Sequence, residues 1–150
     1  LEVEIAGAEL AAMIPPGTPV FLFGPATVPH LAGLRPPIQP SNHLETLQGS
    51  MPKLWNKTSG LWDTVDIGAW LDTGYPCILT VQLSWNAQAE PWWCEPMRFA
   101  VVWRDGLLAR MDRYGWQTPT AMILALLEQH YELVKIVTYH GIRLEIWKRK

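Results

Sequence analysis

The chain has 150 residues, of which 49% are hydrophobic, and a formal net charge of −2 at pH 7. This length suits one domain with a sizeable core, and the small net charge argues against nucleic acid as a partner. Its longest apolar stretches, 77–81 and 121–127, are far shorter than the roughly 18 residues that a membrane-spanning helix requires.

The first third of the chain predicts a helix followed by a strand. Apolar residues at helical spacing indicate a short amphipathic helix over 5–14, and the breakers Pro15-Pro16-Gly17 end it. The continuous apolar run 19–24 is typical of a strand that is buried on both faces, as in a parallel sheet. Residues 25–60 are rich in Pro and Gly, so we expect ordered loop there, with a short helical turn near 28–32.

The middle of the chain predicts a second helix and a second buried strand. Asp63 or Thr64 is suited to cap a helix that Gly74 closes. The apolar run 77–83 follows and predicts a strand. Residues 84–96 are polar and aromatic, which indicates a loop.

The next segment predicts a strand, a turn and a helix. Residues 98–103 have strand character, and Asp105-Gly106 is a turn signal that predicts a hairpin leading into 107–111. Thr118 as the cap and Pro119 at the first helical position then open a helix that runs to about His130.

The last twenty residues predict a hairpin of two strands, 131–139 and 142–148, joined at His140-Gly141. Ile142, Leu144 and Ile146 alternate with Arg143, Glu145 and Trp147, so each set occupies one face of the last strand. The whole pattern predicts an α/β domain with a mixed, mostly parallel sheet flanked by helices and closed by an antiparallel hairpin. We expect one sheet to hold 19–24, 77–83 and the two hairpin strands, with a helix at 119–130 packed on it.

The chain carries no motif that identifies a reaction. The glycine spacings match neither a dinucleotide-binding loop nor a P-loop, and no nucleophile elbow is present. Its four His residues are scattered, so we predict no catalytic residue, no metal site and no cofactor. Cys77 and Cys94 are interpreted as unpaired thiols, and a disulfide between them is the alternative.

One loop has the composition of a binding surface. Glu90 and Glu95 flank Trp92 and Trp93, whose rings point in opposite directions if the loop is extended. One ring can anchor the loop while the other stacks on a sugar face or lies at a membrane interface. Arg35 can approach from the loop after the first strand. The competing interpretation is that both Trp rings only close the core beneath irregular loops.

Several segments together resemble a known family. The segment Leu10-Ala-Ala-Met-Ile-Pro-Pro-Gly-Thr-Pro-Val-Phe-Leu-Phe-Gly24, followed by Leu31-Ala-Gly-Leu-Arg-Pro-Pro37, resembles the soluble tail of polytopic membrane glycosyltransferases. These enzymes are related to dolichyl-phosphate-mannose protein mannosyltransferases and use lipid-linked sugars. Residues 66–81 are similar to the next helix, turn and strand of such tails, and 131–134 with 142–149 resemble their terminal hairpin.

The resemblance implies a function for the whole chain. It implies an extracytoplasmic accessory domain, in the periplasm or outside the cell, within a longer glycosyltransferase whose catalytic acids lie in an upstream transmembrane part. The implied partners are that transmembrane part and a glycan or lipid headgroup. Residues 84–116 depart from the family pattern. The alternative is a free-standing, cytoplasmic α/β binding or protein-interaction domain with a Trp-rich contact loop, and a third possibility is a small enzyme with a loop-built site.

Overall fold

The computed structural model describes residues 1–34, 47–48, 62–63, 68, 71–74, 97–114 and 117–150. The elements in these ranges are, in chain order, α1 Glu2–Met13, β1 Phe21–Phe23, α2 Thr27–Leu31, β2 Leu47–Gln48, β3 Trp62–Asp63, β4 Phe99–Val102, α3 Arg104–Tyr114, α4 Gln117–His130, β5 Tyr131–Tyr139 and β6 Ile142–Arg149. Within these ranges no helix has both the length and the apolar character needed to cross a membrane.

The main sheet has four described strands in the order β1-β4-β6-β5. Strands β1 and β4 are parallel, whereas β6 runs antiparallel to both of its neighbours, and β2 pairs with β3 in a separate parallel ribbon. The predicted α/β class, with a mixed sheet that ends in an antiparallel hairpin, is therefore confirmed. The balance within the described four-stranded sheet is one parallel and two antiparallel pairs, rather than mostly parallel, because β6 enters between β4 and β5.

Helices cover both faces of this sheet and enclose two cores. Alternate residues of each strand point to opposite faces, so Phe21 and Phe23 enter one core while Leu22 enters the other. The α3/α4 core comprises Phe21, Phe23, Leu71, Met97, Ala100, Val102, Leu107, Ile123, Leu127, Tyr131 and Trp147. The α1/α2 core comprises Ala6, Leu10, Ile14, Val20, Leu22, Val28, Ala32, Leu34, Val101, Val137, Tyr139, Leu144 and Ile146. The continuous apolar run of β1 is explained by burial on both faces.

A β-bulge in β5 lets this strand contribute to both cores. Leu133 is opposite Trp147, but Lys135 is opposite Ile146, so one extra residue, Val134, lies between them. A one-residue shift exchanges the faces of all the residues that follow. Tyr131 therefore lies in the α3/α4 core and Val137 in the α1/α2 core. Two residues that are six positions apart in a regular strand would instead lie on the same face.

The turn between β5 and β6 is the predicted two-residue turn. His140 has a φ of 47° and Gly141 a φ of 77°. Two consecutive left-handed residues match the right-handed twist of the strands that they connect, and Gly adopts this conformation without steric cost. The terminal hairpin is therefore confirmed, with Leu144 and Ile146 buried on one face as predicted.

The predicted hairpin at Asp105-Gly106 is wrong, because these residues lie in the first turn of α3. The N–H groups of Gly106 and Leu107 both donate to the carbonyl of Trp103, at 3.1 and 3.2 Å, which begins the helix. Leu107 is buried in the α3/α4 core. Burial of this helix face outweighed the local turn preference, and an acidic residue in the first turn is favourable for a helix.

Most of the other predicted elements are borne out where the structure describes them, but β2 lies within 25–60, which the sequence predicts to be loop, and Asp63, a predicted helix cap, lies in strand β3. Helix α1, the turn that became α2, and strands β1 and β4 lie at the predicted positions. Helix α4 packs on the sheet but begins at Gln117, so Thr118 lies inside it rather than at its cap. Gly74 ends the helical residues 71–73 with a φ of 80°. The predicted strand at 77–83 is outside the described residues and stays a prediction.

Candidate functional site

The residues of the predicted binding loop are outside the part of the chain that the structure describes. This applies to Arg35, Glu90, Trp92, Trp93 and Glu95, and also to the two cysteines, Cys77 and Cys94. The role of these residues therefore stays a prediction. The structure does describe Gly74 and Met97, the residues on either side of segment 75–96, and their contacts show how its two ends are held.

Segment 75–96 contains the candidate residues Glu90, Trp92, Trp93 and Glu95, and the residues that flank it meet at one point. The backbone N–H of Met97 donates to the carbonyl of Gly74 at a distance of 2.6 Å. Gly74 closes the preceding helical turn, and Met97 is buried just before β4. We call these two residues and their contacts the junction. The two residues that flank segment 75–96 are thus held together by a backbone hydrogen bond.

Arg149, at the end of β6, binds the side of the junction that precedes segment 75–96. Its two terminal nitrogens donate to the carbonyls of Leu71 and Asp72, each at 2.7 Å. Carbonyls in the last turn of a helix lack partners within that helix, and a cation is favourable there. The guanidinium also lies over the ring of Tyr131, 5.1 Å from the ring centroid, which is within cation–π range.

Tyr131, the first residue of β5, binds the side of the junction that follows segment 75–96. Its hydroxyl donates to the carbonyl of Met97 at 2.9 Å, and the side chain is buried. Burial raises the pKa of Tyr131, and the neighbouring Arg149 partly offsets this increase. Gly74 fits beside the guanidinium because a β-carbon there would lie only 2.9 Å from the Arg149 Nε.

Further hydrogen bonds extend the junction to α4. The ring Nε2 of His130 lies 2.8 Å from the Asp72 carboxylate. The N–H of Lys150 donates to the carbonyl of His130, and its ammonium donates to that of Glu128. The end of β6, the end of α4 and the base of segment 75–96 are therefore one connected unit. The sequence analysis did not find this role, since the acceptors are carbonyls remote in sequence.

A second polar cluster lies where the parallel strands β1 and β4 end. Arg104 donates to both carboxylate oxygens of Glu145, at 2.9 and 3.2 Å, and the indole N–H of Trp147 donates to the same carboxylate at 3.0 Å. The hydrogen bond to Glu145 raises the pKa of Arg104, and partial burial opposes this shift. The end of parallel strands is the usual position for ligands in α/β sheets. Here, however, the carboxylate already accepts three hydrogen bonds, so the cluster ties α3 to β6.

Within the described ranges, no three His, Cys, Asp or Glu side chains are grouped so that they could hold a metal ion. The chain matches no protein-family model, no curated protein and no solved structure. The fold and the junction define an α/β domain with helices on both faces, which carries segment 75–96 on a closed base.

Proposed function

We propose that this chain is an accessory domain of a membrane glycosyltransferase that uses a lipid-linked sugar donor, located on the extracytoplasmic side of the membrane. The family resemblance of residues 10–24, 31–37, 66–81 and the terminal hairpin motivates the assignment. The observation that supports a binding role for segment 75–96 is the bond from Met97 to Gly74, because it holds the two ends of that segment together.

The proposed task of segment 75–96 is to bind a glycan or a lipid headgroup. An aromatic ring such as Trp92 or Trp93 can stack on the apolar face of a sugar or lie at a membrane interface. The carboxylates of Glu90 and Glu95 can accept hydrogen bonds from sugar hydroxyls. A closed base reduces the conformational freedom that such a segment loses when it binds a ligand. Sugar transfer itself is assigned to the upstream part of the enzyme.

A second candidate function is a free-standing protein-interaction domain. The observation that favours it is the exposed apolar group on β5, where Leu133 is 44%, Val134 37% and Ile136 36% exposed. The sequence of the complete reading frame separates the two proposals. About 8–13 hydrophobic spans upstream of residue 1 select the accessory domain, and their absence selects the interaction domain.

Binding by the Trp pair is tested with the variants Trp92→Ala and Trp93→Ala. Leu31→Ala is the matched control because Leu31 is an exposed apolar residue on α2. We expect one Trp variant to keep the melting temperature of the parent chain but to bind vesicles containing lipid-linked sugar at least tenfold more weakly. If both variants lose several degrees in melting temperature, or neither changes binding, the binding role is rejected.

The accessory role is tested by an activity assay. The purified chain, incubated with a lipid-linked sugar donor and acceptor peptides, is expected to give no transfer. The complete protein from the same reading frame serves as the positive control. Robust turnover by the isolated chain would contradict the accessory role.

A further inference from the structure

Strand β5 is at one edge of the four-stranded sheet, and within the described part of the chain no strand pairs with its outer side. It is nine residues long, which is long for an edge strand. Counting back from the two-residue turn, the backbone N–H and C=O groups of successive β5 residues point alternately toward β6 and away from it. Ile136 and Thr138 direct theirs away. Such an edge is a template for another strand.

Two of the three exposed apolar residues of β5 are on one face of this edge. Leu133 is opposite Trp147 and Ile136 is opposite Glu145, which lies on the same face of β6 as Trp147, while Val134 is the extra residue of the bulge between them. Leu133 and Ile136 therefore lie on the α3/α4 side of the sheet, and more than a third of each of them, and of Val134, remains exposed. Grouped apolar exposure at a strand edge indicates an interaction surface.

Two opposite charges are on the other face of the same edge. Glu132 is opposite Lys148, and Lys135 is opposite Ile146, so both lie on the α1/α2 side. They are three residues apart, on either side of the bulge. Two such strands that run antiparallel, with residue 132 of one opposite residue 135 of the other, bring both pairs of opposite charges together.

We propose that two copies of this chain pair antiparallel through their β5 edges, in the register that sets Glu132 of each copy opposite Lys135 of the other. A twofold axis perpendicular to the sheet keeps each face continuous across the two copies. In this register Leu133 is opposite Val134 of the second copy, and Tyr131 is opposite its Ile136. The two bulges coincide, so neither interrupts a regular partner strand.

Neighbouring registers lack this match. A shift of one residue sets Glu132 opposite Ile136 and Lys135 opposite Leu133, and a register centred on Lys135 sets two lysines against each other. Charged residues and bulges at sheet edges normally discourage pairing. On β5 they select one partner strand and one register, because like charges directly opposite are destabilising and opposite charges favour the pair. This inference does not depend on the proposed function.

The test is a charge-reversal cycle, with the oligomeric state measured by sedimentation velocity and light scattering over a concentration series. We expect the parent chain to form a concentration-dependent dimer. Glu132→Lys and Lys135→Glu should each weaken the dimer at least tenfold, and the double variant should restore it. Arg143→Glu, an equal change of charge at an exposed position of β6, is the control and should leave the dimer intact.

Hydrogen exchange of the parent chain gives a second measurement that requires no variant. The backbone amide of Ile136 should exchange more slowly as the concentration rises. A chain that stays monomeric at all concentrations overturns the proposal, and protection of that amide in the monomer would assign the edge to another part of the same chain. A dimer that the single reversals do not weaken, or that the double reversal does not restore, also overturns it.

Discussion

Arg149 stacks on Tyr131, and the two side chains hold opposite sides of the junction. Arg149 binds the carbonyls of Leu71 and Asp72, which precede segment 75–96, while Tyr131 binds the carbonyl of Met97, which follows it. Because Tyr131 and Arg149 are also opposite each other in the β5–β6 ladder, the terminal hairpin sets the position of both ends of the segment.

Replacement of Arg149 by Met should destabilise the domain. The change leaves the carbonyls of Leu71 and Asp72 without their donor, and the expected loss is about 1–3 kcal/mol in the free energy of unfolding. Arg149→Lys should lose less but still measurably, since an ammonium lacks the planar fork of the guanidinium. Urea denaturation measures both. Lys148→Met, at the exposed neighbouring position, is the control, and an equal loss in that variant would show that Arg149 has no special role.

Tyr139→Phe should stabilise the domain at neutral pH. The Tyr139 side chain is only 4% exposed, and its hydroxyl has no hydrogen-bond partner within the described part of the chain. A buried polar group without a partner is costly, so its removal should raise the free energy of unfolding by about 1 kcal/mol. Tyr131→Phe is the control with the opposite sign, because it removes a formed hydrogen bond. A loss of stability in Tyr139→Phe would indicate that its hydroxyl has a partner.

The two tyrosines also predict how stability changes in alkali. Burial raises the pKa of Tyr139 above its ordinary value of 10.0, and the pKa of Tyr131 is raised for the same principal reason. The folded state then binds more protons than the unfolded state, so stability is complete below about pH 10 and falls as pH rises through the folded-state pKa. Denaturation between pH 9 and 11.5 measures the slope, which should be shallower in Tyr139→Phe. An unchanged slope would contradict the assignment to Tyr139.

Glu145→Gln should weaken the attachment of α3 to β6. An amide keeps the shape of the side chain and still accepts from Trp147, but it removes the charge that Arg104 pairs with. We expect a loss of about 1–2 kcal/mol, because the pair is only partly buried. A double-mutant cycle with Arg104→Gln should give an interaction energy of similar size, and additive losses would mean that the two side chains act independently.

Gly106→Ala should destabilise the domain even though Ala is the better helix former. A β-carbon at this position would lie 2.8 Å from Cδ2 of Trp103, well inside normal contact distance. The same substitution combined with Trp103→Ala should cost much less relative to Trp103→Ala alone. Thermal denaturation measures both differences. A stabilising Gly106→Ala would show that the ring moves away easily.

Local sequence patterns were sufficient wherever neighbouring residues decide the structure. The run 19–24 predicted a strand buried on both faces, and α1, α4 and the terminal hairpin followed from periodicity and turn residues. His140-Gly141 is the clearest example, since a two-residue turn with Gly specifies both the turn and the antiparallel pairing of its strands. The α/β class could therefore be read from the chain alone.

Longer-range contacts decided the rest, for reasons that the local pattern does not contain. Asp105-Gly106 has a local preference for a turn, and the burial of Leu107 in the α3/α4 core outweighs it and favours the helix. The bulge at Val134 places Tyr131 and Val137 in different cores, which are completed by helices on opposite faces of the sheet. Arg149 meets the carbonyls of Leu71 and Asp72 because tertiary packing brings the end of β6 to them. Local sequence determined most of the elements, while burial decided α3, and burial together with the pairing of distant polar groups determined the arrangement of the elements and the contact between Gly74 and Met97.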